Sequence, residues 1–294
     1  MIVECVPNFS AGRDSTVVEA LESAIASVAG LAVLDRTADP DHDRCVITFA
    51  GSPAAVREAA VRAVETAAAR IDLTQQNQQR GVHPRAGAAD VIPFVPISGI
   101  TLEACVVLAH ATGHEIWRRA RVPVYFYEAA ALSPHRVNLA QVRQGGFEAL
   151  REQTATRPPD VGGPALHPTA GATIVGARKF LVAYNINLAS QDLALAQRLA
   201  RKIRTSSGGF PAVKALGLAL ESRGIVQVSI NLTDHEQTGI DQVYAAVSSE
   251  AEVLGSELIG LIPRAALPQA NVRWENFNES LILENRLAAA GLTP

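Results

Sequence analysis

Leu31-Ala32-Val33-Leu34-Asp35-Arg36-Thr37-Ala38-Asp39-Pro40-Asp41-His42-Asp43-Arg44-Cys45-Val46-Ile47-Thr48-Phe49 is the stretch that decides the fold. Residues 31–35 and 44–49 read as two strands, joined by the polar connection 36–43. Ahead of them, 15–28 carries Val17, Val18, Leu21, Ile25 and Val28 at helical spacing, and an Ala-rich helix follows over 53–71. Residues 2–7 open the chain as a short strand, 8–12 read as a turn, and 92–97 adds a further strand. Strand, helix, two strands, helix, strand is the order of a split βαβ unit. A helix over 101–121 and a strand over 122–127 extend it.

The second half repeats that grammar. A strand is expected over 180–186 and a helix over 192–204, with Leu193, Ala196, Leu199, Ala200 and Ile203 on one face. Strands over 213–220 and 226–231, a helix over 240–254 and a strand over 258–262 complete it. The halves share pattern and no convincing identity. Between them, 156–171 is rich in proline and glycine, which makes either a flexible linker or a rigid interdomain ligand loop.

At 294 residues, 48% of them hydrophobic, the chain can bury a large core and is long for one compact unit, so two domains or subdomains are expected. A formal net charge of -3 argues against nucleic acid as a bulk electrostatic partner. Lysine occurs only at Lys179, Lys202 and Lys214. Cys5, Cys45 and Cys105 lie in apolar runs without metal-ligand spacing and read as buried free thiols. No signal peptide precedes Ile2 and no apolar run reaches membrane-spanning length, so a soluble cytoplasmic protein without a membrane partner is expected.

Four segments can carry chemistry. Asn8-Phe9-Ser10 follows the first strand, where Asn8 either closes its own turn or touches a ligand. Asp39-Pro40-Asp41-His42-Asp43-Arg44 holds carboxylates and a histidine that could ligate a divalent metal or position an amidine or amine; a solvated turn is the plainer alternative. Gly81-Val82-His83-Pro84-Arg85-Ala86-Gly87-Ala88-Ala89-Asp90 is a loop of small residues and prolines, stiff and open to close backbone approach. In it His83 can exchange a proton near neutral pH and Arg85 can hold a carboxylate. The fourth is Gly162-Gly163-Pro164-Ala165-Leu166-His167-Pro168-Thr169-Ala170-Gly171, with Arg178-Lys179 downstream as adjacent cations suited to carboxylates or to the surface. No phosphate loop, dinucleotide fingerprint, nucleophile elbow or zinc signature is found.

Taken together, Val3-Glu4-Cys5-Val6-Pro7-Asn8-Phe9-Ser10, His83-Pro84-Arg85-Ala86-Gly87-Ala88-Ala89-Asp90-Val91-Ile92-Pro93-Phe94, Val122-Pro123-Val124-Tyr125-Phe126-Tyr127 and Gly176-Ala177-Arg178-Lys179-Phe180-Leu181-Val182-Ala183-Tyr184-Asn185-Ile186-Asn187-Leu188 resemble the formiminotransferase family, the glutamate formimidoyltransferases of histidine breakdown. Gln227-Val228-Ser229-Ile230-Asn231-Leu232 and Gly260-Leu261-Ile262-Pro263 fit as well, so the likeness runs in order through nearly the whole chain. It implies an α/β (α+β) fold of two ferredoxin-like, split βαβ subdomains, residues 1–178 and 179–294, with sheets facing each other, helices outside and the ligand held between. It implies transfer of a formimino group from N-formimino-L-glutamate to N5 of tetrahydrofolate, a co-substrate, with no metal, by a homodimer. The chain stops where bifunctional members continue into a cyclodeaminase domain, so that second activity is expected to be absent.

By the same resemblance His83 is the catalytic histidine and 162–171 the folate-binding segment, and bulkier residues at Thr169 and Gly171 should weaken folate affinity more than folding. Arg44, Arg85, Arg178 and Lys179 are the candidates for the substrates' carboxylates, with Asn8, Asp39 and His42 as further substrate contacts. Asn is usual in the family where this chain has Asp43, and some members carry Phe and Trp where it has Leu166 and Ala170. Other readings stay open. One is formyl rather than formimino transfer between glutamate and folate. The rest are a non-catalytic folate-binding module and a metal-dependent hydrolase built on Asp39, Asp41, His42 and His83.

Overall fold

The computed structural model describes residues 1–40, 43–75 and 84–292. The chain divides into two compact units, one built chiefly on Met1–Arg178 and the other on Lys179–Ala289. Each is a mixed α and β structure with its own sheet, in agreement with the α+β expectation.

The first unit runs β1 (Ile2–Cys5), β2 (Asn8–Phe9), α1 (Ser15–Ala26), β3 (Leu31–Asp39), β4 (Arg44–Gly51), α2 (Pro53–Arg70), β5 (Ala89–Ser98), α3 (Leu102–Ala120), β6 (Val124–Glu128), α4 (Leu139–Val142), α5 (Gly146–Glu152) and β7 (Thr173–Ala177). β1 and β2 share one strand line, lying between β4 and β5 and antiparallel to both. Residues 8–12 were expected as a turn, but Asn8 pairs with Val46 and Val91, so the strand line resumes after Pro7, which has no N–H to give the ladder. With β3 outside β4, the strands β5, β1, β4 and β3 have the order and antiparallel sense of a split βαβ sheet.

Beyond that unit, β7 lies between β5 and β6 and parallel to both. No strand was expected at 173–177. It is five residues long and buried throughout, so it lacks the polar alternation that marks a half-exposed strand. Because β7 follows it, the 156–171 stretch is part of the first unit.

Helices α1, α2 and α3 begin on side-chain caps: Asp14 accepts from Thr16 N, Ser52 from Ala55 N with Pro53 next, and Thr101 from Ala104 N. They pack beside one another, and Ala59, Ala60, Ala63 and Ala67 of α2 are fully buried. The apolar face of α2 is therefore buried within its own unit. Beneath the helices, Val3, Cys5, Ile47, Phe49, Ile92 and Phe94 form one face of the sheet. Alternation puts Glu4, Asn8, Thr48, Pro93, Gly176 and Tyr127 on the opposite face.

The second unit is β8 (Val182–Leu188), α6 (Leu193–Ile203), β9 (Val213–Leu220), β10 (Ile225–Leu232), α7 (Ile240–Ser248), β11 (Val253–Ile259) and α8 (Leu283–Ala289). Its sheet order is β11-β8-β10-β9, antiparallel throughout, again the split βαβ arrangement. The helix expected over 240–254 ends at Ser248, and Val253 and Leu254 open β11 instead, their apolar side chains serving either period.

Candidate functional site

The described residues of all four segments picked out above meet in the first unit, three of them along one backbone seam and the 39–44 connection through Arg44 and Asn8. His167 and Gly171 exchange backbone hydrogen bonds, each N–H to the other's carbonyl at 3.0 Å, closing a tight loop over Pro168, Thr169 and Ala170. Inside it the Nδ1 of His167 accepts the Ala170 N–H at 3.0 Å. Burial holds the His167 imidazole below its usual pKa, so at neutral pH it is an uncharged cap whose remaining proton sits on Nε2.

This loop is stitched to the 85–90 segment. Ala88 N donates to Ala170 O at 2.9 Å, Ala172 N to Ala86 O at 3.1 Å, and Gly87 faces Gly171 in an antiparallel bridge. Ser10 joins them, its N–H donating to Ala88 O and its Oγ to Gly87 O. Leu73 N also donates to Thr169 O at 2.9 Å. The 162–171 loop is thus pinned along its second half, a pre-ordered wall rather than a linker. Leu166 and Ala170 turn into the core, so the departure from aromatic residues at those positions is a matter of packing.

Around this seam lies a set of charged groups that burial makes consequential. Asp90 accepts the Ala86 N–H at 2.8 Å and a bond from Arg143 Nη2, and only 8% and 12% of the two side chains is exposed. Arg44 donates to the Asn8 amide oxygen, while the Asn8 amide nitrogen donates to Val6 O at 2.8 Å; Asn8 both closes its turn and holds a guanidinium. Burial first, then the like charge of Arg143, lowers the Arg44 pKa from its ordinary value, and Asp90 opposes this. Buried guanidinium nitrogens of Arg44, Arg85 and Arg143 meet no hydrogen-bond partner among the described residues. Donors left so are the exception in folded proteins and are the natural seats for an anionic ligand.

Glu4 stands apart from these cations. It is 1% exposed, and neither carboxyl oxygen has a hydrogen-bond partner among the described residues. Burial pushes its pKa up to about 7, with Arg178 pulling the other way. Tyr127, on the same face, is hydrogen-bonded with Arg178, and burial raises its phenol to about 12. Gly176 leaves room for the Tyr127 ring: a Cβ there would stand 2.4 Å from it.

The remaining candidates fall differently. Asp39 is exposed at the end of β3, paired across the hairpin with Arg44. Asp43 adopts a left-handed φ of 45° and accepts from the Gly12 and Arg13 N–H groups, a task the side-chain oxygen of an Asn performs equally. Lys179 donates to Asp234 at 2.7 Å and Glu236 at 3.2 Å within the second unit. Asp41, His42 and His83 lie outside the described residues, and with them the metal-site alternative. Among the described residues no three His, Cys, Asp or Glu side chains group to hold an ion. No helix among the described residues is long and apolar enough to cross a membrane.

Sequence reasoning passed over Glu4, Tyr127, Asp90 and Arg143. Arg143 lies in no motif, and only the fold carries it to Asp90. Glu4 had a faint signal, a lone acid between Val3 and Cys5, which in an edge strand reads as a solvent-facing position.

A family model described as the formiminotransferase domain, N-terminal subdomain, matches residues 2–178, and one described as the formiminotransferase domain matches residues 183–288. A glutamate formimidoyltransferase of Streptococcus pyogenes serotype M1 is 40% identical over 297 residues, covering 97% of this chain and 98% of that protein. One from Thermoplasma acidophilum is also 40% identical, over 98% of each chain. The formimidoyltransferase-cyclodeaminase of Mus musculus is 39% identical over the whole of this chain, which spans 58% of that longer protein. On these matches, the chain belongs to the formiminotransferase domain family.

Proposed function

We propose that the chain is a glutamate formimidoyltransferase, moving a formimino group from N-formimino-L-glutamate to N5 of tetrahydrofolate in histidine degradation. The observation that carries this is likeness at near-full length to proteins of that name, 40% identical over 97% and 98% of the chain. The two subdomains are assigned to residues 1–178 and 179–294. Both substrates bring carboxylates, and the buried, under-used guanidinium groups of Arg44 and Arg85, with Arg178, suit them. The pinned loop Gly162-Gly163-Pro164-Ala165-Leu166-His167-Pro168-Thr169-Ala170-Gly171 is assigned as one wall of the folate site, since a pre-ordered loop loses little entropy on binding.

His83 is assigned as the general base. Its neutral imidazole takes the proton that N5 loses on attacking the formimino carbon, and returns a proton to the glutamate nitrogen as the carbon–nitrogen bond to it breaks. Proton transfer and carboxylate binding meet the needs of this reaction without a metal. Three buried free thiols, Cys5, Cys45 and Cys105, suit a reducing cytoplasm. A homodimer is assigned on family resemblance.

The test is a side-by-side assay of the purified protein with tetrahydrofolate and either N-formimino- or N-formyl-L-glutamate, following glutamate release. Turnover with the formimino donor alone is expected. Turnover with the formyl donor alone would replace formimino by formyl transfer, and turnover with neither would remove the transferase reading.

A further inference from the structure

We propose that the Glu4 carboxylate binds the formimino group of the donor as an amidinium, and so sets the choice of formimino over formyl donors. It takes the transferase activity above as its premise, and adds a residue that activity does not by itself assign.

A fully buried carboxyl normally meets hydrogen-bond donors, because leaving its oxygens unmet forfeits the hydration it had in water with nothing in return. Glu4 meets none among the described residues, whereas Asn8 and Arg44, and Asp90 and Arg143, are paired with each other. Its backbone is not the cause: β1 is paired on both sides, Glu4 opposite Ala50 and Val95. The site accepts an unsatisfied acid at its centre, and such sites are where ligands complete the bonding.

The neighbours decide which ligand. Facing Glu4 from β4 are Ala50 and Thr48, and from β5 Val95 and Pro93, none of them charged. From β6 comes the Tyr127 phenol, un-ionised at neutral pH, and from the end of β7 Arg178, whose N–H donates to Phe94 O at 3.0 Å beside Val95. The Cys5 thiol points to the other face, among the helices. Arg178 is the charge that acts on Glu4, while Asp35 lies one strand further out opposite Thr48, and Glu128 and Arg143 act on Tyr127.

An N-formimino amino acid carries the complementary pattern. Its amidine is a strong base and is a cation at neutral pH, and its α-carboxylate is one carbon away from the amidine nitrogen. A carboxylate can take two N–H groups of an amidinium in the same planar fork that it offers an arginine, while Arg178 takes the α-carboxylate. A formyl group in that place is a neutral amide, which leaves the Glu4 charge buried and unpaired. Holding the amidine in its protonated form also keeps the formimino carbon electrophilic for attack by N5.

Calorimetric binding of each donor alone, to wild type and to Glu4→Gln, tests this without turnover. Wild type is expected to bind N-formimino-L-glutamate roughly 30- to 100-fold more tightly than N-formyl-L-glutamate at pH 8. The preference should shrink below pH 7, where the carboxyl is protonated and must release that proton to bind. Glu4→Gln, nearly the same shape, should bind the two donors within about threefold. Equal binding of both donors by wild type, or a preference that survives in Glu4→Gln, overturns the proposal. If Glu4→Gln does not fold, the wild-type profile decides: a preference that is flat between pH 5.5 and 8 rejects the role of Glu4. Selective binding without turnover would leave Glu4 in place and remove the transferase activity instead.

Discussion

Gly87 and Gly171 sit opposite each other in an antiparallel bridge, and neither position has room for a side chain. A Cβ on Gly87 would stand 2.0 Å from the Ala172 carbonyl oxygen, and one on Gly171 would stand 2.4 Å from the Ala86 carbonyl oxygen. Gly171 also holds φ at +71°, a conformation L side chains adopt only under strain. Close approach of the two backbones is what joins the 85–90 segment to the 162–171 loop. Replacing Gly171 therefore strikes the fold as well as any ligand, contrary to the expectation that it would act mainly on folate affinity. Gly87→Ala and Gly171→Ala should each lose about 3 kcal/mol of stability. Thr169→Ala should lose well under 1 kcal/mol and weaken folate binding instead. Urea unfolding beside folate titration separates the two effects, and a Gly171→Ala protein of wild-type stability would show that the bridge is slack.

The proposed base gives the sharpest kinetic expectation. His83→Ala should lose about 10²- to 10⁴-fold in kcat while folate affinity holds, since the imidazole acts on a proton in flight. The pH profile of kcat/KM should show an ascending limb from one group in the histidine range in wild type and lose that limb in the variant. Near-full activity in a folded His83→Ala protein would take the residue out of the mechanism and make His42 the next candidate.

Asp90 and Arg143 are coupled through burial. Removing the guanidinium leaves a carboxylate sealed from water with only the Ala86 N–H, so Arg143→Met should destabilise by about 3–5 kcal/mol. Asp90→Asn on top of it should cost much less than the same change made alone. A double-mutant cycle by urea unfolding measures this coupling, and additive losses would mean that the pair is worth nothing.

Glu4 ties stability to pH in an unusual direction. Its carboxyl ionises near 7 when folded and near 4.5 when unfolded, so between those values the folded state keeps a proton that the unfolded chain has lost. Stability from this group is therefore greatest below about 4.5, falls as pH rises, and reaches its minimum above about 7. Glu4→Gln escapes that penalty. It should be more stable than wild type at pH 8, by on the order of 3 kcal/mol, with the gap closing toward pH 4.5. Thermal unfolding of both proteins across this range gives the answer, and a gap that does not change with pH would place the ordinary carboxyl value on Glu4.

The neighbouring cations at the unit boundary should part company. Lys179 is half exposed and engaged by Asp234 and Glu236, whereas Arg178 lies at the end of β7 beside Tyr127 and Glu4. Arg178→Met should raise the donor KM roughly 10- to 100-fold, the worth of a charged hydrogen bond. Lys179→Met should leave KM within about twofold, as expected of a solvated ion pair. Steady-state kinetics of the two variants decides whether both cations belong to the site.

Much of the fold was legible in the order of residues alone. The pair of strands in residues 31–49, set between two helical patterns, fixes a split βαβ grammar, and the second half repeats it, because period 2 and period 3.6 leave distinct marks on an amphipathic element. Where an element is buried on all sides the mark vanishes: β7 has no polar alternation, and Val253 and Leu254 fit helix or strand until the sheet claims them. The loops at 85–90 and 162–171 announced themselves by histidine, proline and glycine. That they are bonded to each other, across some eighty residues of chain, follows only from the parallel insertion of β7 between β5 and β6. The same holds for charge. Sequence shows that Glu4, Asp90 and Arg143 are ionisable, but their chemistry depends on desolvation and on which charge stands opposite, and these are properties of three-dimensional neighbours.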